Sequence, residues 1–380
     1  MKIAIVHEML IKLWWAEKVV EKMLEMFPDA DFFTLIYDEE KTGKIFSKNK
    51  INKQVFKLPS QKLYNITKKQ RFCLPLMARS VEQLDLSTYD VVLCSSSGFS
   101  HGAITKPDTK FIVYYHSPAR YMWDWTNEYK RDIWFQSWIK SYILNKLFLK
   151  LRIWDVIASN RVDIVLANAK NTAKRITKYY RRESQILYPP VEVNRFQKKL
   201  STHSTPFFKD QNYYIIISAL TEFKKIDIAI SAFNKMPDKN LLIIWAWDAE
   251  NKLKNLVSND NIIFSGPQYW DDLVYLVQNS LGLIFPWEED FWIVPIEVMA
   301  AGKPVFAYHA GGLLETVIKW KTGEFFNEKN WDDFIENFIE FDARNKKGYY
   351  SSESCKKQAE LFSDKNFETE LLKIIKKTDA

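Results

Sequence analysis

A chain of 380 residues with 47% hydrophobic and 27% charged side chains is long enough for two packed domains, and its composition excludes long disorder. Lys and Arg number 54 against 47 Asp and Glu, so a formal net charge of +7 permits anionic partners without demanding one. Cys73, Cys94 and Cys355 are far apart and odd in number, which excludes a disulfide framework or thiolate metal site and fits a reducing compartment.

The apolar opening, residues 3–6, meets polar His7-Glu8 at once and is too short for a signal-peptide core. No run of 18 apolar residues predicts a spanning helix. Strands are predicted at 2–7, 32–37, 91–95, 111–116 and 164–167, with helices at 16–26 and 171–180. Residues 132–158 carry Trp, Phe, Tyr, Ile and Leu at helical spacing among Lys and Arg. The favoured reading is an amphipathic helix packed on the sheet; a membrane-surface helix is the minority alternative. Residues 198–206 lose the pattern and predict a linker.

A second alternating series follows. Its strands are expected at 214–218, 241–244, 262–265, 281–286, 304–308 and 324–326, with helices at 226–235, 271–279 and 293–301. Alternation of this kind predicts an α/β chain of two doubly wound, Rossmann-like parallel-sheet domains, which bind ligands at the carboxyl ends of their strands. The expected boundaries are 1–200 for the first domain and 207–362 for the second. Residues 363–380 are expected to return to the first as a C-terminal helix.

The densest chemistry lies in Pro286-Trp287-Glu288-Glu289-Asp290-Phe291-Trp292-Ile293-Val294-Pro295-Ile296-Glu297. Glu289 falls in a predicted loop and Glu297 in the first turns of a helix. Carboxylates there can accept hydrogen bonds from sugar and ribose hydroxyls. Alone, the pair would equally suit a solvated helix start.

This segment resembles the E-x7-E signature of retaining glycosyltransferases of family 4, which have the GT-B fold. Nearly the whole chain shares the resemblance. His116-Ser117-Pro118 with Arg120, Lys224-Lys225-Ile226-Asp227 and Gly311-Gly312-Leu313-Leu314-Glu315 are similar to further family segments. The closest in kind are mannosyltransferase-like members that build bacterial polysaccharides and lipid-linked glycans. The resemblance implies that Glu289 and His116 are catalytic. It implies a donor site of Lys224, Glu297, Phe291, Trp292, Gly311, Gly312, Glu315, Trp14, Trp15 and Arg120. Lys224 would neutralise the leaving diphosphate, Glu297 would hold the ribose, and the two glycines would let backbone N–H groups approach phosphate. No metal and no cofactor are expected, only a GDP- or UDP-linked sugar substrate. The implied acceptor is a glycan or a lipid-linked glycan. The expected location is the cytoplasm, with peripheral contact at the inner membrane face as an alternative. Basic residues look evenly spread and no recognised motif accompanies them, so nucleic acid is not an expected partner.

Two departures stand against the family pattern. Ala219 occupies the place of an arginine five residues before the lysine, leaving Lys225 or Arg120 as candidate replacements. Tryptophan also stands where the family has glycine, at Trp14, Trp15, Trp245, Trp247, Trp270, Trp287, Trp292 and Trp320. The chain has 14 Trp and only 10 Gly, whereas average usage of about 7% would give about 27 Gly. Some bacteria read UGA as glycine, and a gene of that kind translated with UGA as Trp would show this pattern. If the tryptophans are real, a non-catalytic sugar-nucleotide-binding or scaffold protein becomes the rival reading.

Overall fold

The computed structural model describes residues 1–13, 15–127, 138–198, 200, 207–208, 212–244, 250–289, 291 and 293–376. Trp14, Trp245, Trp247, Trp292 and most of the predicted linker lie outside the described residues. The chain divides into two compact units, Met1–Pro189 with the chain from Glu368 on, and Pro190–Phe367.

The first unit holds β1 Ile3–His7, β2 Asp31–Thr34, β3 Val91–Ser96, β4 Lys110–Tyr115, β5 Ile164–Ala167 and β6 Gln185–Ile186. They form one parallel sheet in the order β2-β1-β3-β4-β5-β6. Strands β1, β3 and β4 are buried over almost every residue, as strands covered by helices on both faces must be. Helix Trp138–Ser159 buries Phe148, Leu151 and Ala158 and exposes Leu149, Ile153 and Ile157. Residues 132–137 of the predicted helix lie outside the described residues.

The second unit holds β7 Tyr213–Ile217, β8 Asn240–Ile244, β9 Ile262–Gly266, β10 Gly282–Phe285, β11 Val305–Tyr308 and β12 Gly323–Phe326. Their order is β12-β11-β10-β7-β8-β9, again all parallel. An aromatic cluster of Tyr214, Phe233, Phe306, Phe334, Phe338 and Phe341 fills the space between this sheet and helix Trp331–Lys346, with ring centroids 4.9–6.4 Å apart.

The unit boundary falls at residue 189, not 200. Helix Val193–Gln197 belongs with the second unit, where Gln278 Nε2 donates to the carbonyls of Phe196 and Lys198 at 2.8 Å each. Helix Asp364–Lys376 starts in the second unit and continues in the first, where Lys22 Nζ lies 3.3 Å from Glu368.

Candidate active site

In the second unit the chain direction across the sheet reverses at β7 and β10, which are hydrogen-bonded neighbours. That reversal is where doubly wound sheets open a binding crevice at their carboxyl ends. The loop after β7 makes the short turn Glu222–Lys224, closed by Lys225 at φ +50. The loop after β10 carries Glu289. The two loops meet: Lys224 Nζ lies 2.6 Å from Glu289 Oε2. The lysine side chain is 3% exposed and the glutamate 20%. A cation so deeply buried needs a charged partner, and the pair satisfies both groups. The rings of Phe223 and Trp287 lie 5.0 and 4.8 Å from the same ammonium.

A third loop closes on the second. Gly312 N donates to the carbonyl of Glu289 at 2.7 Å. Gly311 adopts φ +63, and a Cβ there would fall 2.2 Å from the Glu289 carbonyl oxygen. Glycine is therefore required twice over, by conformation and by space. Glu315 lies in the first turn of the short helix Leu313–Thr316, which Gly312 caps. Glu297 sits in helix Val294–Ala300 and is 8% exposed. Phe291 turns its ring inward, 5.9 Å from Phe362, so its side chain serves packing.

Thus the structure brings Lys224, Glu289, Gly311 and Gly312 into direct contact and places Glu297 and Glu315 in the same unit. His116, Arg120 and Trp15 belong to the first unit. Arg120 stacks its guanidinium 3.5 Å from the Trp125 ring centroid and lies 4.0 Å from Asp124. Lys225 is exposed.

The first unit has its own reversal, at β1 and β3. In parallel register His7 pairs with Ser95, each at or near its strand's carboxyl end. Ser95 Oγ bridges His7 Nδ1 at 3.1 Å and His116 Nε2 at 2.9 Å. Glu17 lies 3.6 Å from His7 Nε2, an ion-pair distance and not a hydrogen bond. The Ser95 hydroxyl can donate to one of the two ring nitrogens it bridges while its oxygen accepts from the other. Burial, with the neighbouring His7 ring, pulls the His116 pKa down to about 3, so the ring is neutral at ordinary pH. Sequence reading gave His7 and Ser95 no role. The available signal was a polar residue at the ends of two adjacent parallel strands.

Three of the glycine-like tryptophans have described side chains. Trp15 begins helix Trp15–Met26, with Lys18 Nζ 5.6 Å from its ring. Trp287 is fully buried, its ring 3.8 Å from that of Phe285. Trp320 adopts φ +65 in the turn before β12 and is 55% exposed.

Residues 197–360 match the family model described as glycosyl transferases group 1. The chain is 24% identical over 282 residues to an alpha-1,3/1,6-mannosyltransferase of Dictyostelium discoideum, covering 63% of this chain and 67% of that protein. It is 26% identical over 231 residues to the Saccharomyces cerevisiae protein of the same description, covering 48% and 46%. The match thus spans two-thirds of the first relative and about half of the second. Among solved structures, Anabaena HepE in complex with UDP gives a TM-score of 0.69 at 14% identity, covering 99% of this chain and all of that one. The lipopolysaccharide outer core galactosyltransferase WaaB gives 0.68 at 16% identity, with both chains covered completely. These neighbours share the GT-B fold of two α/β domains.

Proposed function

We propose that the chain is a GT-B glycosyltransferase that moves a hexosyl group, mannose from a GDP-linked donor, onto a glycan or lipid-linked acceptor. The observation that carries this reading is the Lys224–Glu289 pair at 2.6 Å, held at the second unit's strand reversal and clamped by Gly311-Gly312. The mannosyl choice is supported by the relatives' descriptions. A UDP-linked donor is the alternative, and the HepE complex is the ground for testing it.

The arriving diphosphate takes Lys224 as its counter-ion, which releases the Glu289 carboxylate toward the sugar hydroxyls. Glu297 accepts from the ribose hydroxyls. The bond from the anomeric carbon to phosphate breaks, and the bond from that carbon to the acceptor oxygen forms on the same face. The acceptor's proton passes to the departing phosphate oxygen, so configuration is retained. Charge on the leaving diphosphate is the largest developing charge, and Lys224 with nearby backbone N–H groups meets it without a metal. His116, neutral at ordinary pH, is the first unit's proposed contact for an acceptor hydroxyl.

A rival reading is a non-catalytic sugar-nucleotide-binding protein, favoured by Ala219 in place of the expected arginine. Turnover separates the two. Donor consumption is measured with GDP-mannose and with UDP-sugars, with and without EDTA, and the product anomer is read by NMR. An α-linked product from GDP-mannose with EDTA present supports every part of the proposal. An inverted product sinks retention, loss of rate in EDTA sinks metal independence, and binding without turnover supports the rival. Lys224→Ala is expected to lower turnover by roughly 10²–10³-fold, the usual loss when one stabiliser of transition-state charge is removed.

A further inference from the structure

The cations are not evenly spread, against the sequence expectation. Residues 41–81 contain nine Lys and two Arg and no Asp or Glu. The other 43 cationic residues of the chain are outnumbered by its 47 carboxylates, so this one segment makes the protein basic. All eleven of its cations are exposed.

The segment follows β2, the edge strand of the first sheet. It forms the turns Lys48–Lys50 and Lys53–Lys57 and then helices Pro59–Thr67 and Gln70–Glu82. The helices pack inward through Tyr64, Cys73, Met77 and Val81. Their connecting turn points the other way. Ile66 is 82% exposed, more than any other large apolar side chain among the described residues. Around it stand Lys62, Lys68, Lys69 and Arg71, with Phe72 40% exposed and the Arg71 guanidinium 5.2 Å from the Phe72 ring. Lys41 and Lys48 pair with Asp38 and Glu39 at 3.3 and 3.0 Å, but so dense a run of like charge still repels itself, and an exposed Ile within it adds nothing to solubility.

We infer that residues 41–81 form a docking surface for an anionic lipid bilayer, with the Ile66–Phe72 turn entering the headgroup layer and the surrounding cations on lipid phosphates. Basic residues flanking a few apolar and aromatic side chains match that interface in both charge and polarity. A polyanion such as RNA would use the cations but gain little from Ile66, and nine Lys to two Arg is a point-charge surface, not a base-reading one. This inference rests on the chain's own charges and holds whichever donor is used. It also supplies a place where a lipid-linked acceptor could be met.

The test is co-sedimentation of the full chain with vesicles of phosphatidylcholine alone and with 30% phosphatidylglycerol, at 50 and 500 mM NaCl, where roughly one lipid in three being anionic mimics an acidic leaflet. Binding is expected only to the anionic vesicles and only at low salt. The variant K68E/K69E/R71E should lower partitioning by at least about 30-fold, since each lysine near an anionic surface is worth about a factor of five. The variant I66S/F72S should weaken vesicle binding several-fold and leave binding to poly(U) unchanged. The control K321E/K347E/K357E, at exposed positions of the second unit, should lower partitioning far less than the first variant. Circular dichroism confirms that each variant is folded. Equal binding to both vesicle types, no binding at 50 mM NaCl, or an equal loss in the control would overturn the inference. Binding to poly(U) without binding to vesicles would assign the surface to a polyanion instead.

Discussion

Trp320 holds its backbone at φ +65, where an L side chain costs about 1–2 kcal/mol and glycine nothing. Among the described residues the other non-glycine residues at positive φ are Lys68, Arg181 and Lys225, all at helix or turn ends. Trp320 is mostly exposed, and its ring lies 5.5 Å from both Lys319 and Arg344. Those contacts are worth about 0.5–1 kcal/mol each at an exposed site. Trp320→Gly is therefore expected to leave stability unchanged within about 1 kcal/mol in chemical denaturation, where most Trp→Gly changes destabilise strongly. Trp287 is the counterexample, fully buried on Phe285, and its replacement by glycine should cost about 3–5 kcal/mol in this chain. The codons decide whether glycine is the native residue. UGA is expected at 320, and UGG at all eight positions would end the recoding idea. At the same scale, His116 gives a pH signature. Its folded pKa of about 3 lies below the unfolded value near 6.5. As pH falls from about 6.5 toward 3 the unfolded chain takes up a proton that the folded chain refuses, so stability falls. His116 is partly exposed at the surface, which limits the effect to about 1 kcal/mol at pH 5. Denaturant midpoints at pH 7.5 and 5 should therefore differ less in His116→Asn than in the wild type. An equal difference would mean that the ring titrates freely in the fold.

Loops, more than strands or helices, decide this site. Gly311 lies where the loop after β11 rests on the Glu289 carbonyl, and a methyl group there would stand 2.2 Å from that oxygen. Gly311→Ala must push the loop back and break the Gly312 N–H bond to Glu289. The expected result is a loss of donor affinity of at least about 10-fold, with a stability loss of about 1–3 kcal/mol from strain at positive φ. Isothermal titration with GDP and a thermal melt measure the two separately, and unchanged affinity would remove the glycine loop from the donor site. The elements themselves were legible where burial imposes a pattern. Strand 164–167 was placed without error, and most others to within a residue or two, because apolar runs bounded by polar residues leave little choice. Strand 32–37 was read too long, since the structure ends β2 at Thr34 and leaves Tyr37 in an isolated bridge to Leu10. Helices Pro59–Thr67 and Gln70–Glu82 were missed. Lysines dilute their apolar faces and Pro75 lies inside the second, so periodicity is weak there. The contact of Lys224 with Glu289 lies beyond any periodicity, since 65 residues separate them. Only the resemblance pointed to the two together. Ser95 and His7 had neither periodicity nor resemblance to flag them.

At the scale of the molecule, the groups proposed to meet the donor, Lys224 at the diphosphate and Glu289 at the sugar, with Gly311 and Gly312 holding the Glu289 loop, all lie in the second unit. Nucleotide alone should then act on that unit first. At 100 times its dissociation constant a ligand adds about 2.7 kcal/mol to the stability of whatever binds it. For a unit of roughly 150–250 residues each kcal/mol moves the melting temperature by about 2–4 °C, so a shift of about 5–10 °C is expected in the transition that reports on the second unit. Hydrogen exchange locates the effect. Amides of the turn Glu222–Lys224 and of Gly311 and Gly312 should slow most, with the ends of β7 and β10 next, while β1, β3 and β4 should change little. GDP giving the larger shift supports a GDP-linked donor, and UDP giving it moves the donor assignment. Protection centred on β1, β3 and β4 would relocate nucleotide binding to the His7–Ser95–His116 row and leave the Lys224–Glu289 pair as a structural ion pair.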